Sequence, residues 1–251
     1  MQNFFNVDPN ELAATAAALQ QILKERGWRA KFLRGTHQYI FAERPDGETF
    51  NIADSAPEMT SRFSSIIASD KLATYELLNE IGVPQADTRI ATVASISAML
   101  EKYEKIVIKP IDGSHSDGIT TDIMNLEDAF SALDLAEKKS DSGRALVQQQ
   151  LDLNEPEVRS ICIDYKFIEA IQRTHTDSEV AFEDVTDTFS KNKIQLSKRI
   201  ATALDLPVIG IEFLGDYVLE VSASPSLYYP LSDEEKSKYG VYKLVDYLEN
   251  F

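Results

Sequence analysis

The chain has 251 residues, 43% of them hydrophobic, which is enough to bury a proper core in one large domain or two small lobes. Its 25 basic against 41 acidic residues leave a formal net charge of −16, which excludes nucleic acid or an anionic membrane as the main partner, because no surplus of cations remains to displace counterions. No apolar run approaches the roughly 20 residues of a bilayer span, and 1–9 lacks the basic and apolar regions of a signal peptide, so a cytoplasmic protein is expected.

In chain order, Asp8-Pro9-Asn10-Glu11 predicts a helix start, with aspartate as the cap, proline at the first helical position and Glu11 reaching back. Leu12, Ala16, Leu19 and Leu23 form a narrow apolar stripe along that helix, and Gly27 ends it. Residues 28–33, 38–43 and 50–52 read as strands, the last two separated by the Pro45-Asp46-Gly47 turn, so the chain begins with a short α/β cap. His37 falls in a loop and reads as a surface histidine. The next helix spans 69–81, with Gly82 as its stop and Pro84 beyond. Lys71 lies in its first turn, where the helix dipole prefers anions by ~0.3–1 kcal/mol, and a broken local rule marks a candidate functional residue.

A short helix over 94–101 precedes an apolar strand ending at Lys109, and a second strand over 119–123 precedes Asn125, which caps a helix running toward Lys139. Between the strands lies KPIDGSHSDGIT, residues 109–120, with His115 among the small residues Gly113, Ser114, Ser116 and Gly118. Such a loop frees backbone N–H groups to turn toward a polyphosphate that Lys109 neutralises, and it reads as a flap over ATP. A strand over 145–151 ends in Gln148, Gln149 and Gln150, whose amides offer the acceptor and donor an adenine edge requires. Residues 157–164 and 166–173 pair as a hairpin about Asp164-Tyr165. Cys162, the only cysteine, excludes an internal disulfide and reads as a buried, inert thiol. His175 is expected in an exposed loop, and helices are expected over 188–204 and 232–251.

Strand alternation over 207–223 puts Ile209, Ile211, Phe213, Leu219 and Val221 on one face and Gly210, Glu212, Glu220 and Ser222 on the other. Keeping the apolar set together sets Glu212 opposite Glu220 and predicts a three-residue loop, 215–217; a two-residue loop would send the glutamates to opposite faces. Like charges directly across a sheet are destabilising, and a bound divalent cation relieves them. Mg²⁺ suits such a pair, since it takes one or two carboxylates and completes its shell with water and phosphate oxygens.

The ordered set Asp70-Lys71, Ile108-Lys109-Pro110 with its flap, the 147–151 hinge, the 157–173 hairpin and Glu220-Val221-Ser222-Ala223-Ser224-Pro225 resembles the ATP-grasp superfamily. Within it the likeness is closest to the ligase domains of glutathione and cyanophycin synthetases, over roughly residues 61–229. The resemblance implies an α/β (α+β) fold in which two lobes grip a nucleotide: a cap over 1–69, a first lobe with the flap over 70–147 and a second lobe with the metal-binding hairpin over 148–251. It implies ATP and Mg²⁺ as cofactors. Lys71 and Lys109 resemble the lysines that hold the phosphates, and Gly113, Ser114, His115, Ser116 and Gly118 the flap. Gln148, Gln149 and Leu151 resemble the adenine hinge, and Glu157, ahead of Glu155, the ribose ligand. Arg173, with Lys109, is implied in stabilising the transferred phosphoryl group, and Glu212, Glu220 and Ser222 in holding the metal. Three residues depart from the pattern: Ser222 replaces an asparagine, Glu212 an aspartate and Ser116 a glycine.

The implied activity is an ATP-dependent carboxylate–amine ligase working through an acyl phosphate on small-molecule or peptide substrates. Two alternatives stay open: an interaction module that binds nucleotide without turnover, and a small-molecule kinase. The short cap also leaves room for a homodimer or a partner protein to complete the acceptor pocket, and the acidic Glu179, Glu183, Asp184 and Asp187 would suit a cationic amine there.

Overall fold

Three antiparallel sheets, each faced by its own helices, carry the chain. The computed structural model describes residues 9–112, 117–175 and 180–251, with side chains of the first segment from residue 14 onward. The expected Asp8 cap, the Glu11 and Leu12 side chains and Glu179 lie outside the described residues. Helix α1 (Pro9–Glu25) leads into β1 (Arg29–Phe32), β2 (Tyr39–Glu43), β3 (Thr49–Ala53) and β4 (Ala56–Pro57), a four-stranded meander. Alternation buries Ile40, Ala42, Phe50 and Ile52 against Leu19, Ile22 and Leu23 of α1, so the predicted stripe is the helix's packing face.

The helix expected over 69–81 is observed from Lys71 to Glu80, and a further helix, not expected, precedes it. Helices α2 (Arg62–Ser69) and α3 (Lys71–Glu80) are separated by Asp70, whose backbone is extended and whose carboxylate accepts from Leu72 N and Ala73 N, both at 2.9 Å. That anion stands at the start of α3 immediately before Lys71, so the helix end is satisfied by Asp70, and Lys71 lies at the lining of a hollow beside Lys109.

The second sheet is built from β5 (Thr88–Ile90), β6 (Ile106–Pro110), β7 (Thr120–Ile123) and β8 (Ala145–Gln149) in the order β5-β8-β6-β7, with α4 (Val93–Lys102) and α5 (Leu126–Lys139) packed on it. Ile96, Met99, Ile106, Ile108, Val147 and the alanines 129, 132 and 136 form its core, and Asn125 caps α5 by accepting from Asp128 N, as predicted.

The third sheet comprises β9 (Glu157–Ile163), β10 (Lys166–His175), β11 (Val180–Asp184), β12 (Val208–Leu214) and β13 (Tyr217–Ser222) in the order β11-β10-β9-β12-β13. The β9–β10 turn is Asp164-Tyr165, both at positive φ (52° and 58°), the mirror-image geometry that suits two-residue hairpins. One face of this sheet packs Cys162, Ile209, Ile211, Phe213 and Val221 against α6 (Lys191–Leu204) and Leu78 of α3. Cys162 is fully buried and burial pushes its thiol up to about 12, in keeping with the inert reading. The opposite face is divided. At one end Ile161, Ile163 and Val208 enter the core formed by α1, the cap sheet and α8 (Tyr239–Glu249), which follows the single turn α7 (Glu234–Ser237). At the other end the same strands present Glu157, Arg159 and Glu212, with Arg173 beside them on β10.

Two expectations are corrected here. His175 is the last residue of β10 rather than part of an exposed loop, because β11 pairs with this strand and extends it. The expected closing helix over 232–251 is broken at Lys238 into α7 and α8. Among the described residues no helix is long and apolar enough to cross a membrane.

Candidate nucleotide and metal site

Glu212 on β12 lies directly opposite Glu220 on β13, but the turn that brings them together is not the predicted one. Leu214 pairs with Tyr217 and Phe213 with Val218, so the loop has two residues, Gly215 and Asp216. A β-bulge then places Leu219 as an extra residue between the Phe213 and Glu212 pairings, which restores the parity that a two-residue loop would break. Val218, not Leu219, completes the buried apolar face, and Leu219 is turned into the cleft next to Glu220.

Glu212 is nearly buried, with its side chain 13% exposed. Its Oε1 accepts from Arg159, by a short contact, and from Arg173 Nη2 at 3.0 Å. Burial alone would raise this carboxyl; the two guanidinium groups outweigh it and hold it below the ordinary range. Its Oε2 is buried and has no hydrogen-bond partner among the described residues. A buried carboxylate oxygen left bare is costly, and two arginines fix its orientation, so this atom has the character of a preorganised ligand for a cation. Arg173 also reaches Glu157 Oε1 at 3.1 Å, and His175 Nε2 stands 3.4 Å from Glu157 Oε2. Glu157 is therefore a buried partner of Arg173 and His175, while Glu155 is exposed and packs beside Gly215.

Across the cleft stand the two lysines. Lys109 on β6 is 9% exposed and donates to Gln148 Oε1 at 3.0 Å, and Gln148 Nε2 in turn donates to Thr88 Oγ1 at 2.7 Å. Burial first, then the neighbouring Lys71 ammonium, pull Lys109 down to about 8, against an opposing influence from Glu220. These residues belong to one place: Lys71, Lys109, Gln148, Leu219 and Glu220 line two adjoining hollows of roughly 420 and 520 Å³, open mouths included. The larger is walled by Val107, Ile119, Leu151, Leu153 and Leu214, an apolar slot between the second and third sheets. The Gln149 side chain accepts from Asp87 N at 3.4 Å and Gln150 holds Asp122, so the glutamine amides are engaged within the protein. Among the described residues no backbone–backbone hydrogen bond engages Leu151.

Of the flap, Gly113, Ser114, His115 and Ser116 lie outside the described residues. Its two feet are held by side chains near the end of α5. Asp112 accepts from Ser140 Oγ, Asp141 N and Ser142 N at 2.6–3.1 Å, and Asp117 pairs with Lys139 at 2.8 Å. Gly118 has φ +82°, and a Cβ there would come within 2.8 Å of Lys139 Cβ. Ser222 is half-buried and its Oγ accepts from Ser224 N at 3.2 Å. Among the described residues no group of three or more His, Cys, Asp or Glu could hold a metal. The pair Glu212 and Glu220, with the bare Oε2 facing no protein donor, fits a hard cation that draws its remaining ligands from water and phosphate.

Sequence reasoning missed Arg159, which is 5% exposed, pairs with Glu212 and lies 3.5 Å from the Tyr229 hydroxyl. A signal existed: charges at 157 and 159 alternate with Val158 and Ser160 in a strand that is otherwise apolar, which places two ions on one buried face.

Residues 70–231 match the family described as prokaryotic glutathione synthetase, ATP-grasp domain. The chain is 34% identical over 96 residues to a cyanophycin synthetase of Crocosphaera subtropica, covering 36% of this chain and 11% of that protein. It is 33% identical over 88 residues to one from Synechocystis sp., covering 33% and 10%. Among solved structures, a bifunctional glutathione synthetase from Pasteurella multocida superposes with a TM-score of 0.67 at 15% identity, over 94% of this chain and 43% of that one. The D-alanine–D-alanine ligase of Bacillus anthracis complexed with ATP gives 0.60 at 18% identity, over 76% and 68%. The chain thus spans about a tenth of the cyanophycin synthetases and less than half of the P. multocida protein, and the structural likenesses speak to fold. The fold is ATP-grasp, and the chain belongs to the prokaryotic glutathione synthetase ATP-grasp domain family.

Proposed function

We propose that the chain is an ADP-forming carboxylate–amine ligase that activates an acid as an acyl phosphate and transfers it to an amine. The observation that carries this reading is the pairing of Glu212 with Glu220, of which Glu220 lines the same hollow as Lys71 and Lys109 and Glu212 keeps a bare, buried Oε2. Lys71 and Lys109 neutralise the phosphates under the flap, and the apolar slot about Leu151 takes the base. Glu212, Glu220 and the Ser222 hydroxyl would hold Mg²⁺, which when bound would supply charge neutralisation at the phosphates. Arg173, clamped between Glu157 and Glu212, would stabilise charge on the transferred phosphoryl group. Glu157, paired with Arg173 and with His175 beside it, would serve the ribose side. Phosphoryl transfer asks for this kind of positioning and neutralisation more than for covalent help from the protein.

One feature favours the second reading, a nucleotide-binding module without turnover: the Ser222 hydroxyl, standing where the pattern has asparagine, already accepts from Ser224 N. A single assay separates the two. Purified protein is incubated with MgATP, hydroxylamine and a panel of amino acids and short peptides, and hydroxamate and ADP are quantified. The ligase reading predicts stoichiometric hydroxamate and ADP with at least one acid, because hydroxylamine intercepts an acyl phosphate. Binding of MgATP with neither product across the panel would contradict it.

A further inference from the structure

One of the places where the cap meets the end of the β12–β13 hairpin is the turn between β3 and β4. Ala53 pairs with Ala56, leaving Asp54 and Ser55 at the tip. Ser55 Oγ donates to Pro225 O at 2.6 Å, Ser55 N donates to Ser224 Oγ at 3.3 Å, and Ser224 Oγ also reaches Ala53 O at 3.3 Å. Ser224 and Pro225 follow directly on Glu220 and Ser222, and Pro225 lies against Gly210, two residues before Glu212; a Cβ on that glycine would meet the proline at 2.7 Å. The tip of the cap is therefore sewn to the strand ends that carry the candidate metal ligands.

Asp54 is anomalous within this seam. It has φ +54°, a conformation that Gly and Asn adopt as readily, so the turn does not need a charge. Its Oδ1 is buried and has no hydrogen-bond partner among the described residues. Burial raises its carboxyl above the ordinary range, and no neighbouring cation offsets that. A half-sunk carboxylate without a donor or a cation is a standing penalty unless something completes it. An ammonium, compact and with three donors, matches a single bare carboxylate.

We propose that Asp54 anchors the ammonium group of an amine-bearing substrate at the seam between the cap and the metal hairpin. This rests on the ligase reading, and it narrows the substrates to a pair of which at least one carries a protonated amine. Asp54 acts here as a binding residue, setting specificity, with no part in nucleotide binding.

The probe is glycinamide, an ammonium without a carboxylate, against acetamide as its uncharged control. Protein labelled with carboxyl-¹³C aspartate is titrated with each in the presence of MgADP, the Asp54 resonance being identified by its absence in Asp54→Asn. Glycinamide should move that resonance saturably and acetamide should not. Asp54→Asn and Asp54→Gly, both compatible with the positive φ, should weaken glycinamide binding about tenfold and leave MgADP affinity within about twofold. An unmoved Asp54 resonance, or equal glycinamide binding by wild type and both variants, overturns the inference. The two readings fail separately: an Asp54 response without MgADP binding defeats the ligase reading and upholds the ammonium site. MgADP binding without an Asp54 response defeats the ammonium site and leaves the ligase reading to the hydroxamate assay.

Discussion

The Lys109 ammonium gives the site a pH signature that can be worked out from its surroundings. Its fall from 10.5 to about 8, by burial and by Lys71, corresponds to about 3 kcal/mol disfavouring the charged form. A bound polyphosphate reverses that preference, so ligand-free protein loses the proton as pH rises through about 8 while the nucleotide complex retains it. Between about pH 7 and about pH 9 the charged fraction in the free protein drops about tenfold, and MgADP should bind about tenfold more weakly at the higher pH. Lys109→Arg, which stays charged throughout, should bind with little dependence on pH, and Lys109→Met should bind weakly at both values. The stability effect runs the other way. A lysine with a depressed folded value penalises the folded state fully below about 8, and the penalty is relieved as pH rises toward 10.5. Lys109→Met should therefore raise the melting temperature of the free protein at about pH 7, less what is lost by leaving Gln148 Oε1 without its donor. Calorimetric titration of MgADP and thermal melts at the two pH values supply both numbers. A wild-type affinity that is flat over this interval, with Lys109→Arg indistinguishable from it, would refute the reasoning.

Removing Arg173 leaves Glu157 and part of Glu212 as uncompensated buried charge, so Arg173→Ala should lose about 3–5 kcal/mol in urea unfolding, far more than an exposed arginine would. Glu169, 4% exposed and close against Gly240, is pushed up to about 8 by burial and then by Asp184. A raised carboxyl contributes stability that is fully present below its ordinary value of 4.5 and lost as pH rises through about 8. Urea unfolding at about pH 5 and about pH 8 should show wild type losing a few kcal/mol more than Glu169→Gln over that interval.

What could be read from the sequence was read through period and punctuation. The α1 stripe, the Asn125 cap, the Asp164-Tyr165 turn and the Glu212–Glu220 pairing each follow from a local rule that tertiary packing leaves intact. The hairpin shows the limit: the face assignment of the glutamates held although the loop length did not, because the bulge at Leu219 compensates for a two-residue turn, and bulges leave no periodic trace. Asp70 and Lys71 open the expected helix, and the structure makes Asp70 its cap, so the helix begins at Lys71 and the unexpected α2 ends just before it. β5 and β11 escaped notice because three and five residues at a sheet edge, with mixed burial, carry too little alternation to stand out. His175 and Arg159 were missed or misplaced for a related reason. Their roles depend on partners more than fifty residues away in space-filling contacts or on a neighbouring strand that the sequence did not announce.

The account turns on the two glutamates joining a metal-bound nucleotide, and Glu220 isolates that claim because it is exposed and free of the arginine pairs that make Glu212 structural. Nucleotide affinity is measured by calorimetry with Mg²⁺ and with chelator, for wild type and Glu220→Gln. Wild type should bind MgATP at least about tenfold more tightly than metal-free ATP. Glu220→Gln should lose that difference while keeping its unfolding free energy within about 0.5 kcal/mol. Equal affinity with and without Mg²⁺ in wild type, or an undiminished metal effect in Glu220→Gln, would contradict the assignment of this hairpin to the metal.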